Sequence, residues 1–425
     1  MIKSLPKIYF SLLVLSPLVP RFDTADVIAA DYIALTIIAI FGVLILIIQK
    51  ETISSDIKFK APLILIFSFL IISLISISFS LNKVTALISF IKLLVIVVHL
   101  YLIYALRIYK LLSINHILSL CSVLLLIEIF YSLYPLYNEI LPVRKYEYRF
   151  STFLTGIEGN RNITAASIVL KIPLVMLYFF RSNNNYLKYL LGTLLIFAIT
   201  NIFFLSSRAA LLSLLLVLAV YYSHTILEFI REKNFKFFIK RIFLLFAIIA
   251  SSYIYFSYNI LENNRASIQS RVSSISSTDE SATQRLRFYR QAFGYFIEFP
   301  LKPVGLGNWK LYSIDLDKDK IYSYVIPYVV HNDFLEILVE TSLIGFLLYS
   351  GFFLILIYMI YGLYLKQKDF NIKTEILLVG MALFCYLVDA NLNFPLYRPL
   401  MQVNLLLVIT LVLSYFNLMS DEKNA

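Results

Sequence analysis

Of the four histidines in this 425-residue sequence, His331 alone stands in a segment polar enough to meet solvent. His99, His116 and His224 fall inside long apolar runs or at their edges. Asn332 and Asp333, residue types that cap and open a helix, follow His331, and an apolar series of Phe334, Leu335, Leu338 and Val339 comes next. An imidazole at the mouth of such a helix titrates near neutrality and can take a proton from an attacking hydroxyl. Three arginines hold comparable positions. Arg208 lies in the Ser206-Ser207-Arg208 turn where two apolar runs almost touch, Arg285 begins a segment of helical periodicity, and Arg161 sits in Gly159-Asn160-Arg161-Asn162 at the opening of another run. Guanidinium groups fork onto phosphate through paired hydrogen bonds, so such a set neutralises a pyrophosphate leaving group while a nearby base activates a hydroxyl acceptor. Plain readings stand beside this one: His331 as a capping or interfacial histidine, the arginines as side chains snorkelling to the headgroup level, Asn162 as a helix cap.

The elements that must position these residues follow from composition. Hydrophobic residues make up 60% of the chain and charged residues 15%, with a mean hydropathy of +0.82; soluble domains carry roughly a quarter charged residues. The apolar residues fall in runs rather than stripes, and about 20 of them in a row cross a bilayer core of about 30 Å. Twelve such segments are expected between residues 8 and 416. Each must be a helix, because hydrocarbon offers no partner to a free N–H or C=O. The expected fold is an all-α polytopic membrane protein of about twelve transmembrane helices. Residues 1–258 form spans one to nine, 259–341 a large loop with amphipathic helices outside the membrane, and 342–425 the last three spans and a tail. The first segment, after Lys3 and Lys7 and with Pro17 and Pro20, also has the look of a signal peptide, although no A-x-A site follows.

Lysine and arginine set the orientation. With the N-terminus inside, the inner connections hold Lys50, Lys58 and Lys60, Arg107 and Lys110, Arg181 and Lys188, Arg231 to Arg241, and Lys366 to Lys373, while the short outer ones are poorer. Both termini are then cytoplasmic, and Arg161, Arg208, Arg285 and His331 face outward. Arg398 joins them in the last outer loop, with Asp389, Asn391 and Asn393. The net charge of +11 reflects this topology, not nucleic-acid binding. Cys121 and Cys385 sit within apolar runs, which argues against disulfides and thiolate metal sites. Residues 265–284 are rich in Ser, Thr and charge and are expected to be mobile. Arg285, Phe288, Tyr289, Ala292, Phe293 and Phe296 then recur at helical spacing until Pro300, Gly305 and Gly307, which predicts an amphipathic helix against the membrane face.

Four pieces in order resemble the bacterial O-antigen ligase and O-antigen polymerase superfamily, which includes the protein O-oligosaccharyltransferases. Gly159-Asn160-Arg161-Asn162 is similar to its Gly-Asn-x-Asn entry to a span, and Ser206-Ser207-Arg208-Ala209-Ala210 to its Ser-Arg-Gly/Ala turn. Gln284 to Ala292 followed by Pro303-Val304-Gly305-Leu306-Gly307 resembles the arginine and aromatic ahead of Pro-x-x-Gly-x-Gly. His331-Asn332-Asp333-Phe334-Leu335 with Glu340 to Gly345 resembles the His-Asn-x-x-Leu block and its Glu-x-Gly-Leu-x-Gly tail, with Ser342 where the family usually has Gly and Tyr289 where Trp is commonest. The resemblance implies a fold like the GT-C glycosyltransferases, without metal or other cofactor. It implies inverting transfer of a glycan from an undecaprenyl-pyrophosphate donor to a hydroxyl acceptor, at the periplasmic face of the bacterial inner membrane. On that reading Arg208 and Arg285 hold the pyrophosphate, with Arg161 as a further phosphate contact. His331 is the base or orients the acceptor, and Asn332 and Arg398 are candidate support. Membrane lipids and the lipid-linked donor are the implied partners, and nucleic acid is not. Ligation to lipid A core is the leading expectation, then polymerisation of lipid-linked repeats, then protein glycosylation. A secondary transporter is the reading from another class, weighed against because the polar candidates gather at the outer face rather than mid-membrane.

Overall fold

The computed structural model describes residues 4–20, 26, 28–49, 60–233, 235–261, 280–320 and 329–421. Of the serine-rich stretch 265–284, only 280–284 lies among them. Every regular element among the described residues is a helix, apart from one backbone bridge that pairs Tyr146 with Ile260. Among the described residues eleven helices are long and apolar enough to cross a membrane, which makes this a multi-pass membrane protein. The first apolar segment is shorter, Leu5–Leu15 tightening into a 3-10 turn over Ser16–Leu18. Pro17 has no N–H to continue the α-helical ladder there.

Short polar side chains start the helices by accepting the first free N–H groups. Asn82, Ser113 and Asn184 cap Lys83–Ala105, Ile114–Pro135 and Asn185–Leu205. Asn160, not Asn162, caps Arg161–Arg181: its side chain accepts from the Asn162 N–H at 2.9 Å. The cap must precede the helix to reach back into its first turn, and Asn162 is already inside it.

The chain divides into two compact units. The first comprises Met1–Leu111, Ser276–Met359 and Ala390–Gln402. Within it Ala29–Gln49 packs against Lys83–Ala105 and the first helix. The Tyr9 hydroxyl donates to His99 Nδ1 at 2.8 Å, and His99 Nε2 donates to the Leu35 carbonyl at 2.9 Å, so both nitrogens of this buried ring are satisfied. Ala292, Val304, Trp309 and Val330, with Val339 of the Asp333–Lys366 helix, form a small core to which Tyr289, Tyr295 and Phe296 add. The apolar stripe of the Glu280–Glu298 helix therefore covers protein. Phe293 is left 49% exposed, so the expected stripe is narrower than its periodicity suggests.

The second unit comprises Leu112–Ile275, Ile360–Asp389 and Val403–Ala425. Arg161–Arg181 packs on both of its sequence neighbours among the spans. At one end of these spans Arg181 donates to Glu375 at 2.6 Å and Asn115 at 2.8 Å, and His224 lies between the Tyr364 and Thr374 hydroxyls at 3.2 and 3.0 Å. Mid-span, Lys171 Nζ lies 2.8 Å from Glu128 Oε1 with both side chains buried, and the Ser167 hydroxyl and Asn404 amide complete the cluster.

Candidate functional site

In the first unit the chain enters the Asp333–Lys366 helix through Asn332, whose side-chain oxygen accepts from the Leu335 N–H at 3.0 Å. Glu336 reaches back to the Val330 N–H at 2.9 Å, so the turn is fastened on both sides. His331 stands just ahead of the cap with a left-handed φ of 61°, a conformation uncommon for a residue with a Cβ. Its ring lies near-parallel to Phe288 (centroids 6.3 Å apart, 12° between planes) and at 67° to Phe394, 5.4 Å away.

One face of the Glu280–Glu298 helix supplies the neighbours, because residues three and four apart point the same way. Arg285, Phe288 and Tyr289 have that spacing. Arg285 reaches Asn393 Oδ1 at 3.5 Å, and the Tyr289 hydroxyl lies 3.0 Å from the His331 carbonyl and 2.9 Å from the Asn391 carbonyl. Arg398 lies over the Phe394 ring at 5.0 Å, the same ring that packs on His331. The loop carrying Phe394 is pinned where the Leu396 N–H donates to Asp333 at 2.9 Å. Arg285, His331, Asn332 and Arg398 are thus gathered in one cluster. Arg287 instead pairs with buried Asp317 at 2.8 Å, and Gln291 donates to the same carboxylate at 3.0 Å.

Burial, and second the Arg285 charge, push the His331 pKa from 6.5 down to about 4. The imidazole is therefore neutral at neutral pH, and its Nδ1 is buried without a hydrogen-bond partner among the described residues. Burial also raises the Tyr289 hydroxyl despite the opposing pull of Arg285, which keeps it a neutral donor. Tyr397 is raised well above its ordinary value by burial and then by the carboxylates of Glu336, Glu340 and Asp333, so it too stays protonated.

Beneath the cluster, Glu340 organises the glycine loop. Its carboxylate accepts from the Gly307 N–H at 2.7 Å, the Trp309 N–H at 3.0 Å and the Tyr397 hydroxyl at 3.0 Å. A Cβ at Gly305, where φ is 91°, would fall 1.9 Å from Ser80 Oγ and 3.0 Å from the Ser80 Cα. No side chain fits there. Asn308 locks the loop to the hairpin behind it, accepting from the Asn82 N–H at 2.9 Å and donating to the Asn82 carbonyl at 3.2 Å.

Arg208 and Arg161 belong to the second unit. Ser206 closes the Asn185–Leu205 helix in the left-handed region (φ 53°, ψ 31°), and extended Ser207 opens the next, so half-buried Arg208 is its first residue. Arg161 donates to Ser151 Oγ and, at 2.9 Å, to the Tyr148 hydroxyl, with its guanidinium 5.1 Å over the Tyr148 ring. It holds the short turn Tyr148–Thr152.

Residues 193–350 match the family model described as O-antigen ligase. Over that segment the chain is similar to the O-antigen ligase family. The matched segment includes Arg208, Arg285, His331 and Asn332 and leaves out Arg161 and Arg398. A comparison with curated proteins finds no match.

Two features escaped the sequence reading. Phe394, Tyr397 and the carbonyl of Asn391 serve the cluster from a loop distant in sequence, and only Asn391, Asn393 and Arg398 there carried a signal. Glu128 and Lys171 place charge mid-span, away from the outer-face candidates that the sequence singled out. The available signal was a lone acid and a lone base inside apolar runs.

Proposed function

We propose that the protein transfers a glycan from an undecaprenyl-pyrophosphate donor to an acceptor hydroxyl at the periplasmic face of the bacterial inner membrane. The observation that carries this reading is the convergence, in one unit, of a neutral imidazole with Arg285 and Arg398 around Phe288 and Phe394. In the proposed step the acceptor oxygen bonds to the anomeric carbon as the bond from that carbon to the pyrophosphate oxygen breaks, with inversion. The acceptor proton passes to His331, and the leaving diphosphate keeps the electron pair. Arg285 offsets the growing negative charge, and Arg398 supports it. A bound diphosphate also strengthens the base, because negative charge beside the imidazole raises its proton affinity back toward neutral pH. Arg208 and Arg161 are proposed as phosphate contacts on the strength of their motifs. No step here calls on a metal ion.

Ligation to lipid A core is the favoured reaction, since the matched family description is that of a ligase. Polymerisation shares the donor chemistry and differs in acceptor. The deciding experiment deletes the gene and identifies the glycan that accumulates: long polymers stranded on the lipid carrier mean a ligase, and single repeats mean a polymerase. In the same strain His331→Ala should reach the membrane yet attach no surface glycan, and normal attachment would remove His331 from the reaction. Lysine at 208 or 285 keeps the charge but loses the fork. Unimpaired transfer by both lysine variants would reduce those arginines to snorkelling side chains.

A further inference from the structure

The Glu280–Glu298 helix carries a second apolar stripe, opposite the one that packs on protein. Ala292, with Tyr295 and Phe296, takes the core side. On the other side Leu286, Phe293 and Ile297 recur at helical spacing, and Arg290 stands among them on the same line. All four are exposed, Ile297 by 65%, and Leu301, at 67%, extends the stripe past the end of the helix. Glu298 is exposed as well, but a step of about 100° per residue carries it out of the line. A contiguous apolar line rimmed by charge marks an interaction face.

What covers the stripe follows from where it leads. The Pro300 carbonyl accepts from the Leu343 N–H at 3.2 Å, directly after the kink at Ser342 in the Asp333–Lys366 helix. From Leu343 to Lys366 that helix rises about 36 Å at about 1.5 Å per residue, just over a bilayer core of about 30 Å. Ahead of the kink come Asp333, Glu336 and Glu340, acids that a span does not present to lipid. Leu343 therefore marks the level at which this helix enters the membrane. Beyond it exposed Ile344 and Leu347 begin the lipid-facing side of the span, and Leu354 and Tyr358 continue it. Leu301 joins the stripe to that side, since it follows Pro300 as Ile344 follows Leu343.

We propose that the second stripe lies in the bilayer surface, with Leu286, Phe293, Ile297 and Leu301 at the boundary between headgroups and acyl chains and with Arg290 and Lys302 reaching the lipid phosphates. A helix lying this way sinks its apolar side by about 5–10 Å, and long cationic side chains beside it snorkel to the headgroups. Lys302 is placed for this, exposed with its ammonium 5.4 Å from the Phe299 ring. A second copy of the chain would have to cover the stripe without displacing the lipid that meets Ile344 and Leu347 beside it. The helix is then held between lipid on one side and protein on the other, where Arg285 reaches Asn393. In combination with the proposed transfer, on which this last step rests, the His331 cluster stands near headgroup depth, where a diphosphate is presented while its lipid chain stays in the membrane.

The test needs no glycan donor, so its failure is separate from failure of the transfer reading. Phe293→Cys and Ile297→Cys are made one at a time in the full-length protein, labelled with a nitrobenzoxadiazole thiol reagent and reconstituted into phosphatidylcholine nanodiscs, which leave both membrane faces open to the buffer. Cys121 and Cys385 are buried, so the introduced thiol takes the label. Phosphatidylcholine brominated near the headgroup end of its chains should quench either label more than iodide in the buffer does. Stronger quenching by iodide overturns the proposal, because the stripe then faces water. Protection from both quenchers also overturns it, because protein, a second copy or another partner, then covers the stripe. Both side chains are exposed, so the variants are expected to fold; should one fail to accumulate, the other decides.

Discussion

His331 combines a left-handed backbone with a ring packed between two aromatics. Its conformation aims the imidazole, and its surroundings discharge it. The folded protein holds the imidazole neutral, so the associated stability is present above 6.5 and drains away as pH falls toward about 4. Activity should follow the same sign. The acid limb of kcat/KM, which reports the free enzyme, is expected well below 6.5, and the limb of kcat higher, because bound diphosphate raises the base. Arg285→Gln removes the second cause of the depression and should move the kcat/KM limb up. A pH–rate profile with purified protein and lipid-linked donor checks both, and an unmoved limb in the Arg285 variant would mean that this charge does not act on the imidazole. Ser342 is a separate case. Its φ of 69° and ψ of 179° lie in a region nearly reserved for glycine, which costs about 1–3 kcal/mol for other residues. The departure from the family's usual glycine noted in the sequence therefore has a structural price. Ser342→Gly is expected to raise the melting temperature, and a fall would show that the hydroxyl outweighs the strain.

At the scale of elements, two fasteners set the geometry. Glu340 ties the glycine loop and Tyr397 to one helix through three accepted hydrogen bonds. Glutamine has one acceptor oxygen and turns an NH₂ toward donors. Glu340→Gln should lose at least one charge-assisted bond, about 1.5–3 kcal/mol, and reduce transfer by loosening the loop behind His331; a thermal melt and a transfer assay read the two effects. Glu128 and Lys171 join two spans of the second unit. Lys171→Met leaves a buried carboxylate uncompensated and should cost about 3–5 kcal/mol, whereas Glu128→Leu with Lys171→Met should recover most of it. Should both variants melt alike, the pair is not what holds these spans together.

At the scale of the molecule, the distribution of lysine and arginine leads us to propose that both termini are cytoplasmic. A fluorescent reporter that matures only in the cytoplasm should glow when fused to the C-terminus, and an export-dependent phosphatase fused there should stay inactive; the reverse result inverts the topology and puts His331 on the wrong face for a periplasmic acceptor. The spans were legible from sequence because a bilayer demands long apolar runs whatever packs beside them. His331, Arg285 and Asn332 were legible because a helix mouth and a polar motif are local patterns. The cap at Asn160 was misread by two residues, since capping depends on where the helical dihedrals begin and not on residue type alone. Phe394, Tyr397 and the Asn391 carbonyl reach the cluster from a loop some sixty residues along the chain, and the mate of Lys171 is Glu128 on another span. Sequence by itself determined that long apolar helices form, roughly where they lie, and the residue types available for chemistry, because these depend on local composition and solvent. Only tertiary structure decided which arginines share a ring with the histidine, which are already engaged, and where buried charge finds its partner, because those depend on contacts between segments whose spacing along the chain says nothing of their distance in space.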